Sequence, residues 1–144
     1  MQHTYKPITQ EIIEKLKAIV GESHVKTDED ILIQYRTDYE TNPTLFHMPE
    51  AAVLPANAEE IAEIVKLANV EHFPITVRSA GTSLADGAIP VYGGLVLLME
   101  RLNHICELNE EGLYMTVEAG VRTVDLQKEA KAHGLLYAGE PSSA

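Results

Sequence analysis

The sequence predicts an α+β protein built as two lobes, and three observations predict it. A strand–helix–strand pattern over residues 51–78 has the length of one parallel βαβ unit. Two strand-like segments, 104–108 and 113–119, flank Asn109-Glu-Glu-Gly112 and read as an antiparallel hairpin. Between these patterns lies a loop of small residues, Arg78-Ser-Ala-Gly-Thr-Ser-Leu-Ala-Asp-Gly-Ala-Ile-Pro90. The expected division is 1–89 for N-terminal helices plus a small parallel βαβ lobe, and 90–144 for the start of an antiparallel α+β lobe. The loop falls at the expected junction, where ligands commonly bind.

Each element has a local reason. Ile8, Ile12, Ile13, Leu16, Ile19 and Val20 recur at helical spacing and stop at Gly21. Asp28 to Tyr39 reads as a second, short helix, and Asn42 to Met48 as a loop. Ala51-Ala-Val-Leu54 is a short strand of the buried type. Asn57-Ala-Glu-Glu60 resembles a helix cap with an acidic first turn, and the helix must end before Pro74. Ile75 to Arg78 follows as a strand, expected to run parallel to the first. Gly94-Leu-Val-Leu-Leu-Met-Glu100 reads as a strand of the second lobe. Thr123 to His133 reads as a helix closed by Gly134, and Leu135 to Ala138 as the start of another strand. Gly139-Glu-Pro-Ser-Ser-Ala144 looks unlike a natural ending, so a piece of a longer protein is expected.

Composition narrows the function classes. The 144 residues suffice for one full core or two small lobes. No apolar run approaches the roughly eighteen residues that span a bilayer. The N-terminus lacks the apolar stretch of a signal peptide. A single cysteine, Cys106, excludes an internal disulfide and fits a reducing compartment, so a cytoplasmic location is expected. The net charge of −11 argues against nucleic acid and anionic membrane partners. Any phosphate must be held by local amides and one or two cations, against the overall field.

The loop over 78–90 carries the chemistry. Its small residues let a ligand approach the backbone, and successive N–H groups can form a nest for an anion, most simply a phosphate. It lacks the Gly-Lys-Ser/Thr of a P-loop and the Gly-x-Gly-x-x-Gly of a dinucleotide fold. The same composition also suits an ordinary connection between lobes.

Arg78-x-x-Gly-Thr-Ser-Leu-x-x-Gly-Ala-Ile-Pro90 resembles the FAD diphosphate loop of the FAD-linked oxidases, the vanillyl-alcohol oxidase / p-cresol methylhydroxylase (PCMH) family. Further motifs follow the same order: Ala52-Val-Leu-Pro55, the helix start Glu59-Glu60-Ile61, Val117-Glu-Ala-Gly-Val121, Asp125-Leu-Gln, His133-Gly-Leu and Glu140-Pro-Ser-Ser143. Within the family the pattern is most similar to the branch of glycolate oxidase D-subunits and D-lactate dehydrogenase-like proteins. The resemblance implies a PCMH-type FAD-binding domain, here incomplete, from a flavin-dependent oxidoreductase of small 2-hydroxyacids. It also implies a partner redox subunit for the full protein, and catalytic residues outside this chain. The fragment alone is expected to be inactive.

Carried over residue by residue, the resemblance assigns the diphosphate to the backbones of Ser79, Ala80, Gly81, Thr82, Ser83 and Leu84, with added bonds from the Thr82 and Ser83 hydroxyls. Gly87 would give close backbone approach. Pro55 resembles a proline near the adenosine end. Pro141, Ser142 and Ser143 resemble a segment that approaches the flavin. Arg78 has two readings, as a phosphate partner or as a strand-end residue paired inside the protein; the family's reliance on amides favours the second. Thr82 stands where some branches carry a histidine joined to the flavin, which implies non-covalent FAD. Two departures stand out: Ser79 replaces a glycine common in the nearest branch, and Asp86 replaces a small residue. A carboxylate near a diphosphate costs about 1 kcal/mol or more unless water or a cation attends it.

Other candidates read as structural. The six histidines show no metal-ligand spacing. Cys106 reads as a small core residue. Glu59-Glu60 and Glu110-Glu111 fit a helix first turn and a hairpin tip, and Asp38 a turn or cap. A competing hypothesis from another class is a non-catalytic module of the same fold that binds a phosphate-containing ligand or a partner subunit. A third keeps the fold but makes ether lipids with FAD, without net oxidation.

Overall fold

Residues 4–39 and 42–139 are described by a computed structural model. They form two compact units, one ending at Arg101 and one beginning at Leu102.

The first unit opens with α1, Gln10–Val20. The Thr9 hydroxyl accepts from the Ile12 N–H at 3.4 Å, and Ile12, Ile13, Leu16 and Val20 turn their apolar stripe inward. A two-residue strand, β1 (Val25–Lys26), leads to α2 (Glu29–Leu32), capped by Asp28 and continued as a 3₁₀ turn over Ile33–Tyr35. The expected helix over 28–39 is therefore one short turn of each kind. Within the expected loop over 42–48, Pro43–Leu45 forms a further 3₁₀ turn.

Strands β2 (Ala51–Val53), β3 (Ile75–Arg78) and β4 (Leu95–Leu98) complete a four-stranded sheet with β1, in the order β1-β2-β4-β3. Between β2 and β3 runs α3 (Ala58–Glu71). Asn57 caps it by accepting from the Glu60 N–H at 2.8 Å, while the Glu60 carboxylate accepts from the Ala56 N–H at 2.7 Å. As expected, β2 and β3 run parallel. They do not touch, because β4 lies between them, parallel to both. β1 pairs antiparallel with the outer side of β2.

The placing of β4 corrects the expected division at 89/90. The run Leu95-Val-Leu-Leu98 is buried along its whole length. A continuous apolar run is the mark of a central parallel strand covered on both faces, whereas a half-exposed antiparallel strand alternates. Residues 90–101 thus belong to the parallel unit, and the Gly-rich loop lies inside that unit.

The second unit holds β5 (Ile105–Asn109), β6 (Tyr114–Val117) and α4 (Thr123–Ala132). β5 and β6 pair antiparallel around the expected turn, where the Gly112 N–H donates to Asn109 Oδ1 at 2.6 Å. The register shifts between Ile105 and Glu107, which leaves Cys106 at the irregularity and exposed, not in the core as expected. The strand expected over 135–138 is absent; the Leu135 N–H instead donates to Ala130 O at 2.8 Å and closes α4. Among the described residues no helix is long and apolar enough to cross a membrane.

A histidine ties the hairpin tip to α4. His133 Nδ1 lies 2.7 Å from Glu110 Oε1, and Nε2 lies 3.4 Å from Glu129 Oε1. The hydrogen bond to Glu110, helped by the charges of Glu110 and Glu129, raises the His133 pKa above its ordinary 6.5. Stabilisation from a raised pKa is fully present below the unfolded value and is lost as pH rises through the folded one. His133→Gln is therefore expected to lower the melting temperature at about pH 5.5 and to change it little at about pH 8, as read by thermal melts.

Candidate functional site

The three parallel strands bring their C-terminal ends to one edge. Val53 of β2 and Val77 of β3 both pair with Leu97 of β4, so Pro55 and Ser79 each lie two residues beyond the same row. Two strand spacings, about 10 Å, separate those chains. Open parallel sheets bind ligands at this edge. The side chain of Pro55 is itself fully buried.

The loop leaves β3 at Arg78, whose carbonyl accepts from the Met99 N–H at 3.0 Å. Ala88, Ile89 and Pro90 anchor its far end in the core. Between these anchors Ser79, Ala80, Thr82, Leu84 and Gly87 are exposed, Leu84 to 72%. The Ser83 hydroxyl accepts from the Ala85 N–H at 3.0 Å, and the Asp86 carbonyl accepts from the Ile89 N–H at 3.2 Å. The N–H groups of Ala80, Gly81, Thr82, Ser83 and Leu84 have no hydrogen-bond acceptor among the described residues. Such a run of available donors can take an anion.

Arg78 points inward. Its Nη1 donates to Thr37 O at 2.6 Å, and its guanidinium carbon lies 5.7 Å from the Tyr35 ring centroid. Burial pushes its pKa down, while Asp38, Tyr35 and Glu100 hold the charge in place. One donor of the guanidinium is thereby used inside the protein, as the internal reading of Arg78 expects. Gly81, at φ +69°, rests on this guanidinium, and a Cβ there would overlap it. Asp86 adopts φ +58° and its side chain is exposed. Gly87 has room for a Cβ, whose nearest neighbour would be Ser83 Oγ at 3.7 Å. Pro141, Ser142 and Ser143 lie outside the described residues. Among the described residues no three metal-ligating His, Cys, Asp or Glu side chains cluster.

Sequence reasoning missed what supports the loop from below. Besides the Arg78–Thr37 bond, the Tyr39 N–H donates to Ser83 O at 3.2 Å. The available signal was the segment Arg36-Thr-Asp-Tyr-Glu40, read as the end of a short helix with Asp38 as a turn or cap residue.

Comparison with known proteins identifies the family. The family profile of the FAD binding domain matches residues 49–144. The chain belongs to this family of FAD-binding domains, and FAD is its cofactor. It is 35% identical over 136 residues to the glycolate oxidase subunit GlcD of Bacillus subtilis, covering 94% of this chain and 28% of that protein. It is 30% identical over 143 residues to a D-lactate dehydrogenase of Anaerostipes hadrus, covering 97% of this chain and 29% of that one. Among solved structures, p-cresol methylhydroxylase with substrate bound superposes with a TM-score of 0.80 at 27% identity, over 91% of this chain and 27% of that one. An alkyldihydroxyacetonephosphate synthase, at 21% identity and a TM-score of 0.79 over 99% of this chain and 32% of that one, shares the fold. The α+β domain is thus of the PCMH type, found in flavin oxidoreductases. The chain spans under a third of the length of these curated relatives.

Gly81→Ala forces a Cβ into the left-handed region and against Arg78. It is expected to lower stability by about 1–2 kcal/mol, measured as a fall in the urea midpoint.

Proposed function

We propose that this chain is the FAD-binding part of a flavin-dependent oxidoreductase that acts on small 2-hydroxyacids of the glycolate or D-lactate kind. The observation that carries the binding site is the run of available amides from Ala80 to Leu84 at the C-terminal edge of parallel strands. These amides, with that of Ser79, donate to the FAD diphosphate, and the Thr82 and Ser83 hydroxyls add bonds. Pro55 stands at the adenosine end, and Gly87 lets the cofactor approach the backbone. Threonine at 82 offers no ring nitrogen for a covalent link, so the cofactor is held non-covalently. Pro141, Ser142 and Ser143 complete the flavin side of the site in this reading.

The donor set suits the charge balance. A chain of net charge −11 repels a diphosphate at long range, but oriented N–H groups act at contact distance. When bound, FAD supplies the hydride acceptor for oxidation of the carbon that bears the hydroxyl. This chain's residues bind and orient; substrate-handling acid–base groups belong to the rest of the protein. The proposed substrate class is supported by the 35% and 30% identities to a glycolate oxidase subunit and a D-lactate dehydrogenase. A partner redox subunit is part of the proposal, since GlcD is by name a subunit.

Anaerobic addition of glycolate or D-lactate to the full-length holoprotein is expected to bleach the flavin's visible absorbance. No bleaching by any 2-hydroxyacid would overturn the substrate class. Asp86→Gly removes a carboxylate beside the anion site and relieves a left-handed non-glycine residue. It is expected to raise FAD affinity several-fold, about 1 kcal/mol, in a fluorescence titration. An unchanged or lower affinity would count against this placing of the diphosphate.

A further inference from the structure

We infer that Arg78 is a positioning residue, and that the segment Tyr35–Tyr39 is the floor of the FAD loop. This rests on the reading that amides 79–84 hold the diphosphate. Two struts rise from one short segment. The Thr37 carbonyl takes the Arg78 guanidinium at 2.6 Å, and Gly81 rests on that guanidinium. The Tyr39 N–H donates to the Ser83 carbonyl at 3.2 Å. The struts bracket Thr82, the middle of the run of available amides. Tyr35 supports the guanidinium on its ring face, with centroid distance 5.7 Å, and Asp38 adds its charge.

The chemistry of the two cation types sharpens the point. A guanidinium is planar and can donate edge-on to Thr37 O while lying over an aromatic ring and under a glycine. An ammonium keeps the charge but offers no plane. With its Nη1 committed to Thr37, Arg78 acts on the diphosphate through the shape it gives Gly81, not by ion pairing. A loop held in its binding shape loses less entropy when the ligand arrives. The floor lies before residue 49, outside the stretch matched by the family profile, so that profile carries only part of what shapes the site.

Hydrogen–deuterium exchange on the full-length apoprotein tests this without ligand. Arg78→Met and Arg78→Lys are each expected to speed exchange of the hydrogen-bonded amides of Tyr39, Ala85 and Ile89 at least fivefold, with amides of 95–98 unchanged. Unchanged loop exchange overturns the proposal, and so does equal acceleration in 95–98, which would mark a general loss of fold. Should Arg78→Met fail to fold, Tyr35→Leu keeps the cation and is expected to speed loop exchange about threefold; no change there overturns the role of the floor.

Titration with FAD and with riboflavin, which lacks the diphosphate, supplies the second readout. Both Arg78 variants are expected to lose about tenfold in FAD affinity and to keep riboflavin affinity. FAD affinity retained by Arg78→Lys marks a phosphate-binding cation and overturns the proposal. Equal loss for both ligands also overturns it. If the unaltered protein binds riboflavin and FAD equally, the diphosphate reading of the loop fails, while the exchange experiment still decides the strut.

Discussion

The burial of β4 between two parallel neighbours is the constraint on which the first unit depends. Leu95, Val96, Leu97 and Leu98 are almost wholly removed from water, each contributing roughly 1.5–3 kcal/mol. Their backbones align β2 and β3 in one register, which brings the strand ends to a common edge. The entry to β4 is equally constrained. Gly94 stands at φ +69° against Pro74, where a Cβ would collide with the Pro74 carbonyl. The Gly94 N–H donates to Glu50 Oε1 at 3.1 Å, and Glu50 Oε2 accepts from the Ile8 N–H at 2.7 Å. One carboxylate thus joins the N-terminal segment to the start of the central strand, and the loop before β4 is fixed at both ends.

Charge and geometry divide the work at that loop. The chain carries twice as many acidic as basic residues, 22 against 11. A lone surface cation offered to a phosphate would compete with that field and with salt. Arg78 donates to the Thr37 carbonyl, and a partly buried guanidinium with a carbonyl acceptor and an aromatic face is well satisfied. The loop donors without an acceptor among the described residues are N–H dipoles, which bring no mobile charge.

Much of this was legible in the sequence because it is local. Helix α3 announced itself through Asn57 and the acidic first turn, the hairpin through Asn109 and Gly112, and the loop through its small residues. What escaped was set by distant parts of the chain. β1 is two residues long and exists only because β2 offers an edge. β4 reads as a strand, but its place between β2 and β3 is a matter of topology. The run of four buried apolar residues was the available clue, and it outweighs the change of character after Pro90. Cys106 sits at a register shift that periodicity does not reveal. At the site, the loop itself was readable from local composition. Its floor was not, because Thr37 and Tyr39 meet residues 78 and 83 across more than forty positions.

The loop's exposure and its order have to be reconciled, and the floor does this. Residues 80–84 are exposed or half-buried, so leaving their amides without protein partners costs little while no ligand is present. A segment bonded only to water would sample many shapes, and fixing each residue costs about 1–2 kcal/mol. Contacts at Gly81 and Ser83 restrain the backbone from the inner side and leave the outer side available. The left-handed turn at Gly81 is what lets both conditions hold. It brings the backbone down onto the guanidinium, and the absence of a Cβ lets the chain come that close.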